Sequence, residues 1–232
     1  MDACKGNEMP FIQVKRLSKT YGMNHKRVEA LKAVTFDINQ GELLTIVGAS
    51  GAGKSTLLHI LGTLDHPTSG ELLYRGNNVF ALRETELAVF RNDKIGFIFQ
   101  FHYLLPEFTA LENTMMPALI RGYRKDLAMD EAEKILVDVG LKNRLTHKQG
   151  ELSGGEQQRV AVARALILKP EIILADEPTG NLDSKTGEAI FDVLLSLNQQ
   201  LNITLLVVTH NERIASKMPR RIMLIDGEVA AQ

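Results

Sequence analysis

The chain has 232 residues, of which 44% are hydrophobic and 24% are charged, and its formal net charge is -1. A chain of this kind buries a sizeable core, and so balanced a charge excludes strong nonspecific attraction to nucleic acid or anionic lipid. Cys4 is the single cysteine, and no signal core or run of roughly 18 apolar residues is present, so we expect a cytoplasmic protein without internal disulfides that does not itself cross a membrane.

Short strands are predicted over the first part of the chain. Two alternating segments, Phe11–Leu17 and Val28–Ile38, flank a polar connection, and Asn39–Gly41 form a turn into the apolar run Leu43–Val47, which is typical of a buried strand. Tyr21 lies between the first two strands. It is either a partly buried loop aromatic or a flat ring on which a ligand ring stacks.

The stretch GASGAGKST, Gly48–Thr56, follows the buried strand and precedes the helix-compatible run Leu57–Leu61. It has the form G-x-x-x-x-G-K-[ST], in which glycines let the backbone curl so that N–H groups and a helix N-terminus converge on phosphates. Lys54 supplies a mobile charge for the β and γ phosphates, and the Ser55 hydroxyl can ligate Mg²⁺. The strand before it and the helix after it disfavour a merely structural glycine-rich turn. The residues predicted to bind the nucleotide here are Gly48, Ser50, Gly51, Ala52, Gly53, Lys54, Ser55 and Thr56.

After the phosphate loop, a strand with a turn is predicted over Glu71–Val79, a helix over Leu82–Arg91, and a short strand over Ile95–Gln100 that ends in an amide. From Phe101 to about Leu145 the periodicity is helical and no β-rich run occurs. We therefore predict one domain over residues 1–232, with a core from residues 1–99 and 165–232 and an inserted helical subdomain over residues 100–164.

The segment LSGGEQQR begins at Leu152. Ser153 can cap a helix that begins near Glu156, and Gly154 and Gly155 expose backbone donors at its start. This is a second helix terminus suited to an anion. The alternative, an ordinary capped amphipathic helix, loses weight because a complete phosphate loop accompanies it.

Two further buried strands are predicted to end in ionisable groups. The strand within Glu171–Gly180 ends in Asp176 and Glu177, at the edge of a parallel sheet where ligands collect. Asp176 is placed to hold the hydration shell of Mg²⁺, and Glu177 to deprotonate a water that attacks the γ phosphate. The strand Asn202–His210 ends in a histidine that can donate to the same phosphate. The alternatives are a solvated strand end and a structural histidine.

Together these residues resemble the nucleotide-binding subunit of an ABC transporter over essentially the whole chain. The motifs that carry the resemblance are Tyr21, GASGAGKST, Gln100, LSGGEQQR, ILADE, NLD and His210, and LSGGE separates this family from other P-loop ATPases. Within the family, FQFHYLLPEFTALEN with DEPTGNLD is similar to the lipoprotein-releasing ATPases of Gram-negative bacteria. Related macrolide-export and cell-division ATPases share much of this pattern.

The resemblance implies an α/β fold: a P-loop NTPase (RecA-like) core with an N-terminal antiparallel β subdomain and an inserted α-helical subdomain. It implies hydrolysis of ATP with Mg²⁺, an adenine stacked on Tyr21, and Gln100 in contact with Mg²⁺ and the attacking water. Two copies would pack head to tail, so that Ser153, Gly154 and Gly155 serve the partner's nucleotide and Asp183 lies at the seam. The catalytic group would then comprise Glu177, His210, Lys54 and Gln100, and the metal group Ser55, Gln100 and Asp176.

The implied partners are membrane-spanning transporter subunits at the cytoplasmic face of the bacterial inner membrane, where the chain is peripheral and couples ATP hydrolysis to lipoprotein release. The dense apolar groups between Phe101 and Pro117 suggest a groove for a helix of those subunits, although some must be core. Export of a macrolide or peptide, or cell-division signalling without transport, remain alternatives. A DNA-repair or translation ATPase is disfavoured, since no coiled coil or second cassette is present and the charge is near neutral, so we expect no nucleic acid partner.

Overall fold

The computed structural model describes residues 9–22 and 27–231; Cys4, on which the disulfide and compartment predictions rest, lies outside these ranges. The strands are β1 (Ile12–Tyr21), β2 (Val28–Ile38), β3 (Leu43–Val47), β4 (Ser69–Tyr74), β5 (Asn77–Asn78), β6 (Ile95–Phe99), β7 (Ile172–Asp176), β8 (Thr204–Val208), β9 (Arg220–Ile225) and β10 (Glu228–Ala231). The helices are α1 (Lys54–Leu61), α2 (Glu84–Lys94), α3 (Ala110–Ile120), α4 (Lys125–Asp138), α5 (Gly154–Leu166), α6 (Ser184–Leu201) and α7 (Glu212–Ser216). None of the described helices is both long enough and apolar enough to cross a membrane.

A six-stranded sheet in the order β10-β9-β3-β8-β7-β6 forms the centre of the fold. Its neighbouring strands are parallel except for β10, which runs antiparallel to β9. Alternate residues of β8 face opposite layers: Leu206 packs in the same apolar cluster as Leu57 of α1, and Val207 in the same cluster as Val160 of α5 and Phe191 of α6. Burial on both faces explains why these strands are continuously apolar. The parallel strands also end at one shared edge, which carries the candidate site.

A second sheet, antiparallel and in the order β2-β1-β4-β5, forms the N-terminal β subdomain. The predicted strand with a turn at Gly76 is confirmed as β4 and β5. The expectation that Tyr21 is a loop residue is wrong, because Tyr21 still pairs with Val28 and is the last residue of β1. The pairing of β1 with β2 therefore continues through the polar residues before Tyr21, which in the sequence suggested that the strand had ended.

Helices α3, α4 and α5 pack on one another beside the core. Small residues make the contact between them close: Ala118 of α3 shares a buried cluster with Ala128 and Ala132 of α4. With the parallel core and the antiparallel sheet, this helical part confirms the predicted α/β fold with two subdomains. Helix α5 runs without interruption across residue 164, so the proposed domain division there falls inside a helix.

The prediction of helical structure from Phe101 onward is wrong for residues 101–109, which form an irregular loop before α3. Asn113 of α3 explains the loop, because its buried amide accepts from Leu105 N–H and donates to the carbonyl oxygens of Leu105, Phe108 and Thr109. The amide therefore satisfies backbone groups of the loop that no helix of their own satisfies, and the Thr109 carbonyl oxygen also accepts the first helical bond from Asn113 N–H.

Candidate active site

The phosphate-type loop connects β3 to α1. Gly48 and Gly53 have φ values of 156° and 98°, and each approaches neighbouring backbone closely. A Cβ at Gly48 would lie 2.2 Å from the Leu224 carbonyl oxygen, and one at Gly53 would lie 2.3 Å from that of Ala30. Only glycine fits at both positions, so the curled loop depends on them.

Lys54 begins α1 and folds back over the loop. Its Nζ donates to the carbonyl oxygens of Gly48 at 2.9 Å and Ala49 at 2.8 Å. The ammonium group is thus held at the centre of the loop by two neutral acceptors rather than by a carboxylate. An anionic phosphate is a stronger partner than either carbonyl, so the lysine is free to exchange these bonds for a bound triphosphate.

The carboxylate of Glu177 is fixed by three donors where β7 ends. Its Oε1 accepts from the His210 N–H at 2.9 Å and lies 2.7 Å from His210 Nδ1. Its Oε2 accepts from the Thr209 hydroxyl at 3.1 Å. The backbone of Glu177 has a φ of 46° and its N–H donates to Val208. A non-glycine residue in this conformation turns the side chain out of the strand direction, at a site where such strain is often functional.

The carboxyl group of Asp176 lies next to the loop. Burial raises its pKa, and a hydrogen bond from Ser55 opposes the rise. Among the described residues, no three or more His, Cys, Asp or Glu side chains are grouped to hold a metal. A site with one carboxylate, one hydroxyl and one amide fits Mg²⁺, because this ion usually takes one or two carboxylates and completes its shell with phosphates and water. A cation here would also offset the penalty that burial places on the Asp176 charge.

Gln100 follows β6 and completes this edge. Its Nε2 donates to Asn181 Oδ1 at 3.1 Å, and Asn181 Nδ2 donates back to the Gln100 carbonyl oxygen at 3.0 Å. Gln100 also lines the cavity described below, and Oε1 is the acceptor atom that its side chain can offer there. Sequence reasoning gave no role to Asn181 or Thr209, although both stand beside predicted site residues.

One cavity of about 410 Å³ brings most of the predicted site residues together. It is lined by Ala30, Gly48, Ser50, Gly51, Gly53, Lys54, Ser55, Thr56, Gln100, Asp176, Glu177 and His210. The buried Ala52 belongs to the same loop. The residues predicted to bind phosphate, to hold the metal and to act as the base therefore line one space, as hydrolysis of a triphosphate would require.

Tyr21 lies beside this cavity. Its hydroxyl donates to Asp65 at 2.7 Å, and its side chain is also hydrogen-bonded to Thr56 of the loop. Burial raises the pKa of the Tyr21 hydroxyl, and the Asp65 bond raises it further. The ring is 41% exposed, so it is anchored at its hydroxyl while part of its surface is open.

The remaining predicted residues form a second cluster that does not line the cavity. Ser153 caps α5 by accepting from Glu156 N–H at 3.3 Å, so the helix begins at Gly154, two residues before the predicted start. Asp183 caps α6 by accepting from Thr186 N–H at 3.0 Å. The two helix starts adjoin, because a Cβ at Gly155 would lie 2.5 Å from Thr186 Cγ2. Two positive helix ends are thus presented side by side.

Comparison with known proteins identifies a family and relatives that this chain is similar to. The family described as ABC transporter matches residues 31–180. The chain is 61% identical to the lipoprotein-releasing system ATP-binding protein LolD of Syntrophus aciditrophicus, over 94% of this chain and 98% of that protein. It is 54% identical to LolD of Myxococcus xanthus, over 96% and 99% of the two chains.

Solved structures are similar over almost the whole chain as well. The dimeric structure of MJ0796, a bacterial ABC transporter cassette, has a TM-score of 0.87 and 46% identity, and covers 95% of this chain and 97% of that one. A second dimeric structure of MJ0796, in a post-hydrolysis state bound to ADP and Pi, has the same TM-score of 0.87 at 45% identity.

Proposed function

The chain belongs to the ABC transporter family, and from this premise we propose that it is the ATP-hydrolysing subunit of a complex that releases lipoproteins from the inner membrane. The main support for ATP hydrolysis is the position of the Glu177 carboxylate, which three donors hold in the cavity that contains the phosphate loop. The near full-length identity to lipoprotein-releasing ATP-binding proteins supports the choice of transported substrate.

The loop residues bind and orient the triphosphate. Backbone N–H groups of the loop and the N-terminal end of α1 supply donors and a positive dipole. Lys54 exchanges the carbonyl oxygens of Gly48 and Ala49 for the β and γ phosphates. Tyr21 offers its open face to the adenine, in keeping with its exposure beside the loop.

Glu177 takes the proton of the attacking water. Its carboxylate cannot rotate freely, because both oxygens accept hydrogen bonds from residues that follow β8. Fixed orientation of a general base is worth several orders of magnitude in rate. The ring of His210 keeps its Nδ1 toward Glu177, so its Nε2 is the ring atom available to the γ phosphate.

Ser55, Asp176 and Gln100 would hold Mg²⁺. When bound, this ion neutralises charge that develops on the β and γ phosphate oxygens. The three side chains come from three elements, and the Gln100 amide is oriented by its bonds to Asn181. Gln100 also begins the loop that precedes α3, so a change in its position is transmitted to the helical part.

Two copies of the chain are needed to complete each site. Ser153, Gly154, Gly155 and Asp183 lie outside the Lys54 cavity, yet they present two adjoining helix N-termini. In a head-to-tail homodimer these termini cover the nucleotide held by the other copy. The dimeric structures of the relative MJ0796 support this assembly.

Membrane-spanning subunits dock on the helical side of the chain, at the cytoplasmic face of the inner membrane. A cavity of about 510 Å³ lies there, and its walls include Phe99, Tyr103 and Ile120. Tyr103 and Ile120 are 66% and 71% exposed, and Phe101 nearby is 62% exposed. Large apolar groups in this exposed state suit a helix of a partner protein. Of the predicted groove residues, Leu104 and Met115 are instead buried.

The test is to recover the tagged chain from detergent-solubilised membranes in its Glu177→Gln form with ATP, and to identify what copurifies. Two membrane subunits of a lipoprotein-releasing complex are expected. Recovery of a drug exporter or of a cell-division protein would retain the ATPase mechanism and overturn the proposed substrate.

A further inference from the structure

A polar cluster at the end of β1 lies outside the hydrolytic machinery. Its centre is Asp65, in the loop after α1. The Oδ2 atom of Asp65 accepts from the Tyr21 hydroxyl at 2.7 Å, and Oδ1 accepts from Lys19 Nζ at 2.6 Å and from the His66 N–H at 2.7 Å. Lys19 Nζ also donates to the His66 carbonyl oxygen at 2.7 Å. Hydrogen bonds therefore fix the orientation of both the Asp65 carboxylate and the Lys19 ammonium group.

The cluster determines which face of the Tyr21 ring is open. Lys19 and Tyr21 are two residues apart on β1, so their side chains lie on the same side of the strand. Lys19 Nζ is 4.8 Å from the centroid of the Tyr21 ring and covers one face of it. The lysine side chain is only 13% exposed, which shows that it is packed in place. The uncovered face of the ring is the one that a base can reach.

The cluster also connects the ring to the phosphate loop. Asp65 follows α1, whose first turn is the end of that loop, and the Leu64 N–H donates to His59 within the same helix. The Tyr21 hydroxyl contacts Thr56 as well. Two hydrogen bonds of the Tyr21 side chain, one to Asp65 and one to Thr56, therefore fix the position of the ring relative to α1 and the phosphate loop.

We infer that Asp65 is a positioning residue for the nucleotide base, and that with Lys19 it holds the Tyr21 ring at the distance and tilt that adenine needs once its phosphates are bound. This inference rests on the proposed function, in which Tyr21 stacks on adenine. Asp65 acts through Tyr21 and touches neither the phosphates nor the attacking water. Its loss therefore weakens binding of the base and leaves hydrolysis at saturating ATP unchanged.

The experiment is a double-mutant cycle on the purified chain with Asp65→Ala and Tyr21→Phe, measured by KM and kcat for ATP. Asp65→Ala is expected to raise KM about five-fold, the effect of about one hydrogen bond, with kcat within about two-fold. In the Tyr21→Phe background, which keeps the ring and removes the hydroxyl, Asp65→Ala should raise KM much less, because the bond it breaks is already absent. Asp192→Asn is the matched control, since Asp192 pairs with Lys217 at 2.7 Å on the surface of α6.

A second readout separates positioning from structural damage. Inorganic tripolyphosphate carries no base, so its inhibition constant should be the same for wild type and Asp65→Ala. An equal shift in that constant, an equal rise of KM in both backgrounds, or an unchanged KM would each overturn the inference. If Asp65→Ala does not fold, Asp65→Leu gives the same comparison, because it also removes both acceptor oxygens and keeps more of the side-chain volume. Wild-type protein that fails to hydrolyse ATP would instead refute the proposed function, and a Tyr21→Ala variant with unchanged KM would refute the stacking role alone.

Discussion

Replacing Glu177 by glutamine tests the assigned base most directly. Glutamine keeps the shape of the side chain but cannot accept a proton. Its amide oxygen can take the place of Oε1 and accept from His210 N–H, as Oε1 does at 2.9 Å. Its NH₂ group then faces the Thr209 hydroxyl, whose oxygen can accept from it, so this bond is kept with its direction reversed.

The structural effect of this change is small and the kinetic effect is large. The hydrogen bonds to a carboxylate become bonds to a neutral amide, which lowers the free energy of unfolding by about 1 kcal/mol and the melting temperature by about 2–4 °C for a chain of this size. The loss of a positioned general base lowers kcat by about 10² to 10⁴. The affinity for ATP should stay within about two-fold, because Lys54 and the loop glycines are unchanged.

Phosphate release at saturating ATP and titration with a fluorescent ATP analogue measure the two effects separately. Glu131→Gln is the matched control, since Glu131 pairs with Lys134 at 2.8 Å on α4, away from the cavity. A Glu177→Gln variant that binds ATP and retains wild-type kcat would show that another group takes the proton. A variant that no longer binds ATP would show that the carboxylate shapes the site rather than acting in the chemical step.

Three further changes test the loop, the docking surface and the α5 start. Gly48→Ala should lower the free energy of unfolding by more than about 2 kcal/mol and abolish nucleotide binding, because its Cβ would lie 2.2 Å from the Leu224 carbonyl oxygen. Gly150→Ala is the control, because its Cβ would meet no atom within 4 Å, and it should change the free energy of unfolding by less than about 0.5 kcal/mol. Urea titration of both variants measures this difference. Leu105→Glu at an exposed site, or Phe108→Glu at a half-buried one, should retain ATP binding and lose copurification with membrane subunits. Leu201→Glu, an apolar-to-acidic change at an exposed site of α6, should retain both. Unchanged copurification of the first two would count against the groove. Hydrogen bonds from Arg144 and from the Ser153 N–H lower the pKa of Glu156 from 4.5 to about 2. Because the pKa of Glu156 is lower in the folded state, this stabilisation is complete above pH 4.5 and is lost as pH falls toward 2. The difference in melting temperature between wild type and Glu156→Gln should therefore disappear as pH falls through that range. A difference that stays constant would contradict the assignment.

Strong periodicity made much of the fold predictable. Helix α6 spans Ser184–Leu201, where apolar residues recur at helical spacing and Asp183 caps the start, and both features can be read from the sequence. The buried strands were equally clear, since burial on both faces leaves a continuous apolar run. Local signals were sufficient wherever the element's own residues determine its structure.

The errors occurred where a distant side chain decides the local structure. Residues 101–109 carry apolar residues at helical spacing, yet the Asn113 amide bonds to the backbone of Leu105, Phe108 and Thr109 and holds the segment as a loop. Tyr21 continues β1 because β2 pairs with it, which the polar residues before it conceal. Asp65 and Thr209 lie in no motif that sequence reasoning used, and Asn181 belongs to the NLD motif without having been given a role of its own. Their partners come from other elements, and only the strand order brings them together.

The division of the candidate site into two separate clusters has a thermodynamic consequence. The cavity supplies Lys54 and the loop donors, whereas the two adjoining N-termini of α5 and α6 lie elsewhere on the same chain. If a second copy brings its termini to the bound triphosphate, ATP strengthens the dimer by the same factor by which the dimer strengthens ATP binding. Hydrolysis removes the anionic group that both copies contact, and so weakens the contact that it created. If Glu177 is the base, as proposed, the same carboxylate sets both the rate of hydrolysis and the lifetime of the closed pair, and Glu177→Gln with ATP should accumulate as a dimer in solution.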